Sequence, residues 1–126
     1  MKKLLLGIAA VCLAGFTFAQ DAPLWMRHSV ISPDGTTIAF TYKGDIYTVP
    51  VAGGRAMQIT TNPAYDTAPV WSPDSKRIAF ASDRMGSLDV YIVAKDGGEP
   101  RRLTTHSGSE TPLAFTDAGH VLFSAG

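Results

Sequence analysis

Three histidines, one Gly-Ser-Glu triplet, one acidic loop and one arginine pair are the groups here whose types could do chemistry. His28, His106 and His120 stand far apart, without a His-Glu-x-x-His run and with Cys12 as the one cysteine. A zinc centre needs three or four nitrogen, sulfur or carboxylate ligands at close spacing, and that pattern is missing. Gly108-Ser109-Glu110 lacks the Gly-x-Ser-x-Gly frame that lifts a serine nucleophile onto a strained turn. Asp83-Arg84-Met85-Gly86-Ser87-Leu88-Asp89 carries two carboxylates and a glycine, but not the alternating oxygen ligands of a calcium loop. It reads as a hairpin loop in which Asp83 and Arg84 tie strands or neighbouring units together. Arg101-Arg102, which Arg55 approaches in the repeat frame described below, is the one pair of adjacent arginines. On an outer strand it is expected to face water. By this reading the chain has no catalytic, cofactor-binding or metal-ligating residues, and no cofactor is expected.

The elements that would position any site come from a repeat. Ile31-Ser32-Pro33-Asp34-Gly35-Thr36-Thr37-Ile38-Ala39-Phe40 recurs as Trp71-Ser72-Pro73-Asp74-Ser75-Lys76-Arg77-Ile78-Ala79-Phe80. A degraded third copy, Phe115-Thr116-Asp117-Ala118-Gly119-His120-Val121-Leu122-Phe123, lacks the proline. Asp45-Ile46-Tyr47 returns as Asp89-Val90-Tyr91, Gly53-Gly54 as Gly97-Gly98, and Ile59-Thr60-Thr61 as Leu103-Thr104-Thr105. Four blocks in one order are a structural unit.

Ser-Pro-Asp-Gly is turn chemistry: proline presets φ, aspartate bonds its own backbone, and glycine tolerates positive φ. Ser75, in place of the second glycine, is expected to fit an ordinary type I turn. Thr37 to Tyr42 and Arg77 to Ser82 then read as strands leaving the turn, followed by strands at Asp45 to Val51 and Asp89 to Ala94. Short outer strands are expected at Gln58 to Thr60 and Arg102 to Thr104. Trp71, Phe115, Phe40, Phe80, Phe123, Tyr47 and Tyr91 recur at matched places, the pattern of packing between units rather than of a stacking platform. Trp25 falls outside the repeat and could cover an edge of the first unit.

Four strands in roughly 40–45 residues is the content of a β-propeller blade. The predicted fold is all-β, with blade 1 at about 25–61, blade 2 at about 68–105, and an incomplete blade 3 from about 113. Closed propellers use about 4–8 blades, so the remaining blades are expected elsewhere in a longer parent chain. The third copy, without its proline, is expected to be looser or specialised.

Residues 1–19 have a separate job. Met1-Lys2-Lys3, an apolar run from Leu4 to Phe18, and Thr17-Phe18-Ala19 before Gln20 form a secretory signal peptide with its cleavage pattern. The apolar run is shorter than the ~20 residues of a membrane span. Val11 spoils the lipid-attachment pattern at Cys12, so the mature protein is expected without cysteine, disulfide or membrane anchor. The full chain has 11 basic and 11 acidic residues. Without Lys2 and Lys3 the count is 9 against 11, a balance that attracts neither nucleic acid nor an anionic membrane. The expected compartment is the bacterial periplasm.

Ile31-Ser32-Pro33-Asp34-Gly35 and Trp71-Ser72-Pro73-Asp74-Ser75 resemble the WD40-like Pro-Asp repeat of TolB, tricorn-type proteases and prolyl-oligopeptidase relatives. Ile78-Ala79-Phe80-Ala81-Ser82-Asp83-Arg84, Asp89-Val90-Tyr91 and Arg102-Leu103-Thr104 extend the likeness across nearly the whole mature chain. Pro23-Leu24-Trp25-Met26-Arg27 directly after the signal, with Tyr42-Lys43-Gly44-Asp45-Ile46-Tyr47, is most similar to the start of bacterial tricorn protease homologues. That resemblance implies a non-catalytic propeller segment of an exported serine peptidase, filtering or channelling peptides to a catalytic domain outside this chain. A TolB-like propeller that binds a protein partner, or the propeller of a prolyl-oligopeptidase-type peptidase, is the alternative. A TolB-like protein would carry an α/β domain between signal and propeller, and there is no room for one here.

Overall fold

The computed structural model describes residues 26–126. The signal peptide expected at 1–19 and the expected edge-covering Trp25 lie outside the described residues. Ten strands form three antiparallel sheets. The first contains β1 (Met26–Ile31), β2 (Thr37–Tyr42), β3 (Asp45–Pro50) and β4 (Met57–Gln58) in sequence order. The second repeats that order with β5 (Asp66–Trp71), β6 (Arg77–Met85), β7 (Ser87–Ala94) and β8 (Arg101–Arg102). In the third, β9 (Glu110–Asp117) pairs with β10 (His120–Ala125). Consecutive antiparallel strands with the first strand of each sheet against its neighbour are the blade arrangement of a propeller. β5 touches β1, β2 and β3 on one side and β9 on the other.

Position in the stack accounts for the burial pattern. A strand with one face in water alternates, whereas one covered on both faces reads as a continuous apolar run. β6 lies in the middle sheet and is buried without interruption from Ile78 to Ser82. The core gathers Ala39, Ile46 and Ile59 of the first sheet with Trp71, Ile78, Phe80, Tyr91 and Val93 of the second. Trp71 also donates its indole N–H to the Val30 carbonyl at 3.0 Å, a direct bond between the two sheets. The aromatic pairs divide by role. Phe40 stacks on Tyr47 and Phe80 on Tyr91 at centroid distances of 5.7 and 5.9 Å, and each pair lies across strands of one sheet. Of the recurring aromatics, Trp71 and Phe115 bridge sheets, Phe115 through the Arg77 guanidinium over its ring at 5.9 Å.

The Ser-Pro-Asp turns are small hydrogen-bonded knots. In the first, the Ser32 hydroxyl accepts from the Thr37 amide at 3.1 Å and donates to Asp34 Oδ1 at 2.5 Å. In the second, Ser72 does the same with Arg77 at 2.9 Å and Asp74 at 2.6 Å. Each serine therefore satisfies a strand-entry amide and orients the carboxylate that holds the turn. These bonds hold Asp34 and Asp74 below the usual carboxylate range, the Ser32 and Ser72 hydroxyls being the largest causes.

Several local expectations are corrected. Ser75 does not sit in an ordinary type I position; its φ is +60°, close to the +73° of Gly35. That region costs a side-chain-bearing residue roughly 1–2 kcal/mol. The compensation is tertiary: the buried Ser75 hydroxyl accepts from the Asp34 amide of the neighbouring sheet at 3.0 Å. The third turn is shorter rather than looser. Asp117 Oδ1 accepts from the Gly119 amide at 2.8 Å and meets His120 Nδ1 at 2.8 Å. The outer strands begin one residue and end two residues earlier than expected. Thr60 and Thr104 turn their hydroxyls back onto the Ile46 and Val90 amides, each at 2.9 Å, in place of further ladder bonds. β6 runs on to Met85, past the expected Ser82, so the 83–88 loop shrinks to a tight turn at Gly86, φ +114°. Bulges between Arg27 and Val30 and between Thr67 and Val70, with His28 and Ala68 at φ near +50°, add twist at matched places.

Ser75→Ala is expected to destabilise more than Ser75→Gly in urea unfolding, because alanine keeps the backbone strain and loses the bond between sheets. Equal effects would mean that the left-handed φ at Ser75 carries no strain; the loss common to both variants reports the hydroxyl. The depressed Asp34 and Asp74 stabilise the fold above the ordinary carboxylate value of about 4. That contribution is lost as pH falls through their lower folded-state values. Asp34→Asn with Asp74→Asn should therefore lower stability at neutral pH and shallow the acid limb of an unfolding curve recorded against pH.

Candidate functional site

The charged groups that sequence spacing scattered are drawn into a buried lattice on the middle sheet. Asp66 opens β5 and is fully buried. Arg84, on the extension of β6, reaches both of its oxygens at 3.2 Å. The same guanidinium lies 4.6 Å from the Tyr91 ring centroid and 5.6 Å from that of Phe80, and its Nε donates to Ser82 Oγ at 2.8 Å. A planar cation between aromatic faces and a carboxylate is held in one geometry. Burial raises the Tyr91 hydroxyl pKa. Asp83 ties the adjacent chain, its Oδ1 accepting from the Tyr65 amide at 2.8 Å. The loop is thus a strand tie, with Arg84 as its main member.

Arg102 departs from its expected place in water. Its Nη2 meets the buried Asp89 at 2.6 Å. Gln58 meets Asp45 at 3.2 Å at the matched place in the first sheet. The acid-to-donor spacing of 13 is common to both pairs. Asp45 is pushed up, first by burial and then by the nearby Asp66 charge. The Asp66 amide meanwhile donates to the Gly44 carbonyl at 2.8 Å, joining the sheets at that end. Asp66 lies outside the repeat blocks set out above, and its depth and its contact with Arg84 reveal its role.

The histidines remain separate. His28 Nδ1 lies 3.3 Å from Thr67 Oγ1, His106 3.5 Å from buried Glu110, and His120 in the exposed Asp117 turn. Ser109 is bonded through its backbone to Gly126. Among the described residues there is no group of three or more histidine, cysteine or acidic side chains placed to hold a metal ion. Acyl transfer needs a nucleophile within hydrogen-bond reach of a base, and neither His106 nor His120 has a serine hydroxyl among its recorded partners.

The arrangement is suited to binding. A cleft of about 620 Å³ opens between the outer edge of the first sheet and the β7–β8 turn. Pro50, Arg55, Met57 and Gln58 line one side, with Lys95 and Asp96 on the other. Arg55 thus faces this cleft, whereas Arg102, its neighbour in the repeat frame, is drawn into the ion pair with Asp89.

Arg84→Met would leave Asp66 charged, buried and unpaired, and should cost about 3–5 kcal/mol in chemical denaturation. The double change Arg84→Met with Asp66→Asn should recover most of that loss. A cost additive across both sites would refute the pairing.

The Tricorn protease N-terminal beta propeller domain family matches residues 23–126. Tricorn protease homolog 1 of Streptomyces coelicolor is 35% identical over 102 residues, covering 80% of this chain and 9% of that protein. The uncharacterized peptidase YuxL of Bacillus subtilis is 31% identical over 124 residues, covering 97% of this chain and 19% of that protein. The chain therefore spans less than a fifth of either relative. The crystal structure of TolB from Acinetobacter baumannii superposes with a TM-score of 0.69 at 23% identity, over 79% of this chain and 26% of that one; this likeness concerns the fold. With three successive antiparallel sheets, the Ser-Pro-Asp turns and a match across nearly all described residues, the chain belongs to the tricorn protease N-terminal β-propeller domain family.

Proposed function

We propose that this chain is the non-catalytic propeller segment of an exported, tricorn-like serine peptidase, which filters or channels peptides toward a catalytic domain encoded elsewhere in the parent. The family match over residues 23–126 carries the reading. Support also comes from the two relatives whose names denote proteases or peptidases, and from the separation of serines and histidines described above. The propeller supplies shape, rigidity and a polar edge, while bond cleavage belongs to the parent's own nucleophile. Residues 1–19 are its export signal, and the mature protein begins at Gln20 in the periplasm.

A TolB-like role as a protein-binding propeller is the competing reading, in keeping with the fold likeness. The propeller of a prolyl-oligopeptidase-type peptidase is the other, and YuxL keeps it in view.

The test uses the product of the complete reading frame, secreted from a Gram-negative host. N-terminal sequencing of the periplasmic product should begin at Gln20. Hydrolysis of a graded set of unstructured peptides should show a length preference, which deletion of residues 20–126 broadens while a short chromogenic ester is still cleaved. A product without peptidase activity that captures a periplasmic protein would favour the TolB-like reading. An unprocessed cytoplasmic product would end the export assignment.

A further inference from the structure

We propose that the cleft between the outer edge of the first sheet and the β7–β8 turn is a docking site for an extended peptide segment. That segment carries one acidic side chain flanked by aliphatic ones.

The cleft combines an apolar wall with two cations that have no other commitment. Val49, Pro50 and Met57 line the first-sheet side, and Met57 is 45% exposed. Arg55 is exposed on that side, and Lys95 is half-buried on the other. The ion pairs among the described residues are made by Arg84, Arg102, His106 and His120, so neither Arg55 nor Lys95 is paired there. Lys95 acts on Asp34 through charge, but that carboxylate is bonded to Ser32 and Thr36 within its own turn. Two cations lining one cleft repel each other and attract an anion.

The repeat does not require this arrangement. After the glycine pair, the first unit carries Arg55 where the second carries Glu99. The outer strand begins with Met57 in β4 and with Arg101 in β8. Lys95 stands where the first unit has Val51. Arg55, Glu99, Met57, Arg101 and Val51 are all exposed, so a sheet of this kind folds with either set. The pairing of cations with an apolar wall therefore belongs to this cleft and is not a demand of the fold.

The lining also sets what fits. Asp96 stands beside Lys95 on the second wall. It leaves the cleft with one net positive charge, which suits a single carboxylate and disfavours nucleic acid or another polyanion. The volume of about 620 Å³ exceeds that of one side chain and lies within the range of ligand-enclosing sites. β4 ends the strand order of its sheet, so a peptide backbone can run along the rim with side chains turned inward. Aliphatic groups would then meet Val49, Pro50 and Met57, while the acid lies between Arg55 and Lys95.

The inference is independent of the peptidase reading, because binding is measured without turnover. The probe is an end-blocked, rhodamine-labelled peptide, Ser-Val-Leu-Glu-Val-Ser, titrated by fluorescence anisotropy into the mature product of the complete reading frame. The expected result is saturable one-to-one binding that weakens with added salt. Glutamine in place of the peptide's glutamate should cost about fivefold in affinity, and serine in place of its aliphatic residues about tenfold. Arg55→Glu and Lys95→Val each install the residue that the other unit carries, so the unfolding midpoint should stay where it is. Each should weaken the glutamate peptide, and the double variant should lose the preference for glutamate over glutamine. Absence of binding, equal affinity for the two peptides, or a double variant that keeps the preference overturns the proposal. So does tighter binding of inorganic polyphosphate, which would make the cleft a general anion patch. Full competition by hexanoate at equal concentration also overturns it, since the ligand would then be a small carboxylate.

Discussion

The middle sheet carries apolar residues on both faces, so it cannot be stable alone. A β-sheet with one face in water can discard half of its hydrophobic residues, but the middle sheet here does not: β6 is buried continuously from Ile78 to Ser82. Full burial of side chains the size of Phe80 or Ile78 contributes on the order of 1.5–3 kcal/mol each. That contribution exists only while neighbours stand on both sides. The stack of sheets is thus the stabilising unit, as in other repeat architectures where nearest-neighbour interfaces carry the fold. Trp71 expresses the constraint in one residue, with its ring in the shared core and its N–H bonded across to Val30.

Polar groups complete what the apolar faces begin. The Ser-Pro-Asp turn has a local function, because Ser32 and Ser72 satisfy the amides at strand entry. It also has a tertiary one: Asp34 is bonded to Ser75 of the next turn, so that adjacent sheets are fastened at their turns as well as through their cores. At the opposite end of the strands, Asp66 is fastened to Gly44 by its backbone and to Arg84 by its side chain. Buried charges of this kind add little net stability compared with apolar packing. Their consequence is registration, since a strand shifted by one residue would bury Asp66 or Asp89 away from its cation.

The family assignment and the geometry agree in kind. Both describe repeated antiparallel sheets stacked as propeller blades. A propeller fold by itself hosts many functions, so what distinguishes this chain lies in its own surface, such as the cleft bearing Arg55 and Lys95.

Amino-acid sequence alone determined the strand order, the turn positions and the kinship. Ser-Pro-Asp, Asp-Ile-Tyr and the glycine pairs encode their geometry through local φ preferences and strand propensity, which need no neighbours. It also marked Arg84 as a tie, because a charged residue at the end of an apolar strand must find a partner. The left-handed Ser75, the capture of Arg102 by Asp89 and the Trp71 bond to the neighbouring sheet were decided only by tertiary structure. Each depends on which residues 13 to 41 positions away are brought within hydrogen-bond range. Local chemistry sets where a strand begins and turns, but the environment of a side chain is set by the sheet that comes to lie against it.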